Sequence, residues 1–314
     1  MGLHEFTYPS SDGKTAIHAV EWLPEGEVKA VLQITHGVSE YILRYAPFAE
    51  YLTKQGFAVV GHDHLGHGAS VAPDGTAMYF GPKGSWDFVV RDLEKRRLLA
   101  KEAFPGVPYF LLGHSMGSFV TRTYLIRYPG RVDAAVIMGT GQMPALLVKG
   151  GLAVATLEAA RLKETVSSPL VMQLAFGSYN KRFAPNRTAF DWLSVNEENV
   201  DAYMAHPLCG ANPTIGLFRE MLGGIGFITK QENVKKMDQN TPILFISGGM
   251  DPVGDCGKGV ENAYKSFCAA GVRDVELKLY PELRHEILNE TCREQVYEDI
   301  FHWLTTKTAA TLPL

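Results

Sequence analysis

A chain of 314 residues with 46% hydrophobic and 20% charged residues has the composition of a soluble globular protein. At that length it buries roughly 75% of its unfolded surface and needs no staple to fold, while a net charge of −4 excludes the basic excess of a nucleic-acid footprint. Residues 1–10 lack the basic-then-apolar pattern of a signal peptide, and no apolar run is long enough to cross a bilayer. Cys209, Cys256, Cys268 and Cys292 form no C-x-x-C pair and read as buried thiols in a reducing, cytoplasmic compartment.

Residues 6–9 and 16–22 flank the turn signal Ser11-Asp12-Gly13 and predict an antiparallel hairpin. Residues 30–35 are a buried-strand run ending at His36-Gly37. Residues 45–56 predict an amphipathic helix with Phe48, Ala49 and Leu52 on one side and Gly56 as its cap. The next strand, 57–60, runs into Gly61-His62-Asp63-His64-Leu65-Gly66-His67-Gly68. Ser85 is the expected N-cap of a helix whose apolar positions include Trp86, Val89, Val90, Leu93 and Ala100. The apolar run 109–112 then turns through Gly113-His114-Ser115-Met116-Gly117 into a helical segment that stops at Pro129, and residues 134–138 form another strand.

This alternation predicts an α/β fold, a mostly parallel sheet with helices on both faces. The rhythm fails over residues 142–224, which read as a mainly helical insertion in a core made of 1–141 and 225–314. Within it, residues 146–155 are apolar on nearly every side, interrupted by Lys149 and Gly150-Gly151. Such a helix lines an acyl tunnel, touches a membrane surface, or simply packs on the sheet. The α/β rhythm returns at 243–247, with a helix near 260–270, an alternating strand at 275–280 and a last helix over 294–304.

The G-x-S-x-G at Gly113–Gly117 stands where a strand meets a helix, the context in which it forms a nucleophile elbow. Gly113 and Gly117 relieve the crowding of a tight turn, and Ser115 stands above the carboxyl edge of the sheet. A serine hydroxyl needs a base, and the base an orienting acid. On this topology they follow later strands in the order Ser, acid, His. Asp251 follows 243–247 and His285 follows 275–280, so Ser115, Asp251 and His285 are the expected triad. Asp255 and Glu282 compete for the acid's role but are displaced from the strand ends; His206 lies in the insertion and His302 within the last helix.

The loop His36-Gly37-Val38 lies where a second oxyanion donor belongs, so the backbone N–H groups of Val38 and Met116 are assigned to the oxyanion hole. His36, Gly37, Gly113, His114 and Gly117 are then supports of elbow and loop. The array His62, His64 and His67 suggests a metal site. Its glycines instead fit a compact loop in which Asp63 pins backbone amides, and the expected chemistry uses neither metal nor cofactor.

With these residues placed, the chain resembles the monoacylglycerol lipase and lysophospholipase-like branch of the α/β-hydrolase superfamily. The resemblance is carried by His36-Gly37-Val38-Ser39-Glu40 with Arg44-Tyr45, and by residues 61–70, where Leu65 replaces an arginine common among relatives. Residues 176–183 with Asp191-Trp192 look like the cap of bacterial lysophospholipase-like members. The resemblance implies a serine esterase with a cap over the site and a single-chain lipid ester as substrate, a monoacylglycerol first. A lysophospholipase, a general carboxylesterase, a proline-iminopeptidase-like aminopeptidase and a non-catalytic binding protein remain as alternatives. The acidic residues Glu197, Glu198 and Asp201 would serve a cationic substrate group. Peripheral contact with a membrane surface through the cap is a further expectation; the pattern carries no signal for an oligomeric state.

Overall fold

The computed structural model describes residues 2–311, the last four as backbone. Eight strands, β1 (Gly2–Pro9), β2 (Ala16–Leu23), β3 (Ala30–Thr35), β4 (Phe57–His62), β5 (Tyr109–His114), β6 (Ala134–Met138), β7 (Ile243–Gly248) and β8 (Val275–Tyr280), form one sheet in the order β1-β2-β4-β3-β5-β6-β7-β8. The first two strands pair antiparallel, β2 lies antiparallel to β4, and every pair from β4 to β8 is parallel. Strands β3 to β7 are buried at every residue, which is why each reads as an unbroken apolar run.

Besides short 3-10 turns, the described residues form ten α-helices: α1 (Ala46–Thr53), α2 (Trp86–Ala103), α3 (Met116–Arg127), α4 (Ala145–Leu162), α5 (Pro169–Phe176), α6 (Glu197–Ala205), α7 (Ile215–Ile228), α8 (Gln231–Val234), α9 (Lys258–Ala270) and α10 (Arg293–Thr311). One core gathers Val89 and Leu93 of α2, Val120 of α3, Ile225 of α7 and Phe267 of α9. The other gathers Phe48 and Leu52 of α1 with Val296 and Ile300 of α10. The sheet is thus covered on both faces, as its buried strands require.

The chain leaves β3 toward β4 on one side and returns to β5 on the other, so the strand order reverses at β3. Ligand crevices of open α/β sheets lie at such a point, beyond the carboxyl ends of the strands. Thr35 and Gly113 pair across it, which brings the His36-Gly37-Val38 loop and Ser115 to one place.

Several expectations need correction. Ser85 precedes α2, but its hydroxyl makes no cap and bonds Gly81 O instead. The N–H groups of Gly84 and Trp86 are taken by the Glu220 carboxylate of α7. The helix expected over residues 146–155 lies within α4, which runs unbroken through Gly150-Gly151; a Cβ on Gly151 would stand 3.0 Å from Leu222 Cδ1, so the glycine admits α7. Residue 224 falls inside α7, with Gly224 against the Trp86 indole. Of the cysteines, which are all free, Cys209 and Cys256 are half-buried and Cys268 and Cys292 exposed.

Candidate active site

Strand β5 enters α3 through Ser115, which takes φ 54° and ψ −122°. A non-glycine residue in such a conformation costs about 1–3 kcal/mol and persists only where its surroundings fix it. Here Ser115 N–H donates to Met138 O at 3.0 Å, while Ser115 O accepts from Ser118 N–H at 2.9 Å and Ser118 Oγ at 2.6 Å. The crowding around the turn explains both glycines. A Cβ on Gly117 would lie 2.0 Å from Thr35 O, and one on Gly113 2.3 Å from Thr121 Oγ1.

Asp251, fully buried beyond β7, directs Oδ2 to His285 Nδ1 at 2.9 Å. Its Oδ1 accepts from Val253 N–H at 2.9 Å, so the carboxylate is oriented from both ends. Gly248 permits the approach of the two loops: a Cβ there would meet Arg284 O at 2.0 Å. The His285 ring lies between Trp192, at 5.2 Å between centroids, and His114, at 4.7 Å. His114 Nε2 bonds His285 O at 3.2 Å, and its Nδ1 bonds the Tyr45 hydroxyl at 2.9 Å.

Ser115 and His285 face one cavity of about 170 Å³, together with Val38 and Met116. Ser115 Oγ makes no hydrogen bond among the described residues, His285 included; such contacts are often loose in a substrate-free enzyme. Nor do the N–H groups of Val38 and Met116 meet an acceptor among the described residues, whereas Gly37 N–H is taken by Glu40 Oε1 at 2.6 Å. The tautomer of His36 follows from its contacts. Its Nδ1 donates to Gly37 O at 2.7 Å, leaving Nε2 to accept His64 N–H at 2.9 Å.

Sequence reasoning gave no role to the charged cluster beside this histidine. Arg44 Nη1 bonds Glu40 Oε2 at 2.8 Å and Glu286 Oε1 at 2.7 Å, and its Nη2 bonds Glu286 Oε2 at 2.8 Å. Two buried carboxylates against one guanidinium leave an excess negative charge near His285. Burial alone would push the His285 pKa down; the Asp251 charge and hydrogen bond, with Glu286 and Glu40 behind them, hold it above the ordinary histidine value. The available signal was the placement of Glu286 and Glu290 around the apolar pair Ile287-Leu288, since charged groups in a buried loop need partners.

The competing residues lie elsewhere. Asp255 and Glu282 are exposed, and His206 Nε2 bonds the Tyr41 hydroxyl at 2.8 Å. Glu197, Glu198 and Asp201 point to solvent, with Asp201 held by Arg187 at 2.7 Å, so they offer nothing to a group in the cavity. Helix α4 does not line this cavity; the apolar wall comes from Met172 and Phe176 of α5, Met221 of α7, Trp192 and Leu193. Leu146, Leu147 and Leu157 of α4 are instead 80%, 60% and 71% exposed. Asp63 does pin the loop, accepting from Ile42 and Ala69 N–H at 2.8 and 2.9 Å. Among the described residues no cluster of three or more His, Cys, Asp or Glu is arranged to hold a metal.

The sheet order, the strained serine after β5 and the acid and histidine after β7 and β8 define an α/β-hydrolase. Residues 26–292 match the family model described as serine aminopeptidase, S33, and the chain belongs to that family. It is an enzyme of the esterase and lipase kind and resembles the monoglyceride lipases along its length. It is 27% identical to a monoacylglycerol lipase of Mycolicibacterium smegmatis, over 96% of this chain and 97% of that one. It is 28% identical to monoglyceride lipase of Homo sapiens, over 92% of this chain and 86% of that one. Among solved structures, a thermostable carboxyl esterase of Bacillus coagulans in complex with glycerol superposes with a TM-score of 0.91. That match has 27% identity and covers 98% and 99% of the two chains.

Proposed function

We propose that this enzyme hydrolyses single-chain glycerides, monoacylglycerols first, through an acyl-Ser115 intermediate. His285 removes the Ser115 proton as Oγ attacks the ester carbonyl, and Asp251 orients the imidazole and stabilises its cation. The oxyanion is met by Val38 and Met116 N–H. His285 then protonates the leaving alcohol, and water, activated by the same histidine, releases the acid. Residues 142–224 act as the cap. The observation that carries this reading is the His285–Asp251 pair facing the strained Ser115 in one cavity, apolar toward α5 and polar toward Ser39 and Asn212.

A free amine calls for an uncommitted carboxylate and a phosphodiester for an uncommitted cation, and no described Lys or Arg lines the cavity. Glu40 and Glu286 are committed to Arg44, Tyr45, Asn199 and the Gly37 amide, which favours an uncharged glycerol over either. Monoolein turnover is therefore expected to exceed that of lysophosphatidylcholine, with Pro-p-nitroanilide uncleaved. A fluorophosphonate probe is expected to label wild type and leave Ser115→Ala unlabelled; labelling of that variant, or unlabelled wild type, sinks the assignment. The cavity volume favours a second reading. At about 170 Å³ it is below the roughly 300–1,000 Å³ of typical ligand pockets, which suits short esters unless the cap opens. A panel of p-nitrophenyl esters of graded length separates a short-chain carboxylesterase from a lipase.

Contact with lipid aggregates through the cap is supported by the exposed Leu146, Leu147 and Leu157 of α4 and Leu170 and Leu174 of α5. No described helix is long and apolar enough to cross a membrane. Replacing Leu146 and Leu147 by Ser removes apolar groups worth up to about 1.5–3 kcal/mol each on full burial. Vesicle flotation is expected to weaken, with p-nitrophenyl acetate turnover unchanged; undiminished flotation would reject the contact.

A further inference from the structure

We propose that residues 191–211 of the insertion position the reacting groups themselves, Glu290 holding the His285 loop to this strap and Tyr203 holding the oxyanion loop to it. The proposal rests on the esterase reading above but assigns roles to residues outside the reacting set.

Glu290 is 1% exposed, and its carboxylate is shared between the two segments. Oε1 accepts from Arg284 N–H at 3.1 Å and Val195 N–H at 3.1 Å; Oε2 accepts from Ser194 Oγ at 2.8 Å and Asn196 N–H at 3.2 Å. Arg284 returns the bond by donating to Asp191 O and to Ser194 O at 3.1 Å. Beyond the histidine, Glu286 N–H donates to Leu193 O at 2.8 Å. Both neighbours of His285 in the chain are therefore hydrogen-bonded to residues 191–196, with Trp192 against the imidazole.

The other end of the strap grips the loop after β3. Ser39, next to Val38, holds φ 58°, a strained value for serine. Its carbonyl accepts from the Tyr203 hydroxyl and from Gly210 N–H, each at 3.0 Å, and its Oγ donates to Ala211 O at 2.7 Å. Asn199 lies between the two ends and bonds both Arg44 and Glu286. By contrast, α4 and α5 make no hydrogen bond to either loop among the described residues. The insertion divides into an outer arm that contributes an apolar wall and a strap that fixes geometry. A buried carboxylate spent on strap amides has no part in covering an acyl chain. It has one in holding a base and an oxyanion donor on separate loops in register.

The test is turnover of p-nitrophenyl acetate, whose acyl group needs no acyl pocket, by folded Glu290→Gln and Tyr203→Phe at temperatures well below their melting midpoints. Misplacement of the reacting groups is expected to lower kcat by about tenfold to a hundredfold, with KM within about twofold and fluorophosphonate labelling slowed in step. Should Glu290→Gln not fold, Ser194→Ala replaces it on the histidine side. Unchanged acetate kcat in the folded variants, or a loss confined to KM for long-chain esters, overturns the proposal and leaves the strap a simple cover. Wild type inert toward both the acetate ester and the probe overturns the esterase reading itself, and the proposal with it.

Discussion

Replacing Asp251 by Asn is expected to lower kcat by roughly 10⁴ while leaving KM and the thermal midpoint nearly unchanged. The surroundings dictate which way the new amide points. Val253 N–H approaches Oδ1 at 2.9 Å and demands an acceptor there. The amide oxygen must occupy that position, so the NH₂ faces His285 Nδ1, where a carboxylate oxygen stood at 2.9 Å. An NH₂ donor there forces the imidazole proton onto Nε2, the atom that has to accept the Ser115 proton. The loss thus comes from the wrong tautomer rather than from a missing contact, and 10⁴ corresponds to about 5.5 kcal/mol of barrier. The pH profile is a second readout. On the proposed mechanism the neutral imidazole is the active form in wild type, so activity is expected to rise with pH through a midpoint above 6.5, because the folded His285 pKa is raised. Without the Asp251 charge, burial dominates and the midpoint moves down. Stopped-flow turnover of p-nitrophenyl acetate measures both, and activity within tenfold of wild type would transfer the orienting role to another group.

The sheet was legible because its signals are local. Strands buried on both faces must be apolar at consecutive positions, as in Val31–Leu32 and Leu111–Leu112, and helices supply the intervening periodicity. The grouping of Asp251 with His285 was legible because connection order on a parallel sheet leaves strand ends few places to meet. Partnerships that depend on distant segments were not. Glu220 caps α2 from more than 130 residues away, and nothing near Ser85 announces that its hydroxyl turns elsewhere. Nor does anything near Gly151 explain a glycine inside a helix, where it is locally unfavourable; the reason is close packing against Leu222, 71 residues away in the chain. The same blindness hid Glu286 and Glu290, whose partners come from residues 44 and 194–199.

Acidification from pH 7.5 to about 5.5 is expected to remove a large part of the folding free energy, through the buried histidines behind the oxyanion loop. His36, His62, His64 and His67 are fully buried, with His36 and His64 4.2 Å apart between ring centroids. Both nitrogens of His62, Nδ1 of His64 and Nε2 of His67 make no hydrogen bond to protein among the described residues. Burial, reinforced by their mutual repulsion, pushes all four pKa values down, to about 3 for His62 and His67, despite the opposing charges of Asp63 and Glu40. A folded pKa below the unfolded value of about 6.5 gives stability that is complete above that pH and lost as pH falls toward the folded pKa. Each histidine that stays neutral in the fold contributes about 1.4 kcal/mol per pH unit in that window; His62, His64 and His67 together contribute about 4, and His36 adds in the same direction, against a typical total of about 5–15 kcal/mol. His18 and His285, whose pKa values are raised, gain stability as pH falls from 7.5 to about 6.5, where their contribution is complete, so they oppose the loss in the upper part of the window and leave the slope unchanged only below 6.5. The depressed carboxylates Asp63, Glu40 and Glu286 enter only below about pH 4.5. The interval between is governed by histidine. Urea unfolding at half-unit pH steps measures the slope, and His62→Leu is expected to reduce it by one proton; equal stability at pH 7.5 and 5.5 would mean the cluster is not neutral in the fold. The first structural casualty is expected beside the site, since a protonated His36 Nε2 cannot accept His64 N–H, and that bond anchors the loop carrying Val38. Activity lost on the acid side then has two parts: one follows His285 reversibly, and a steeper one follows the cluster as the fold gives way.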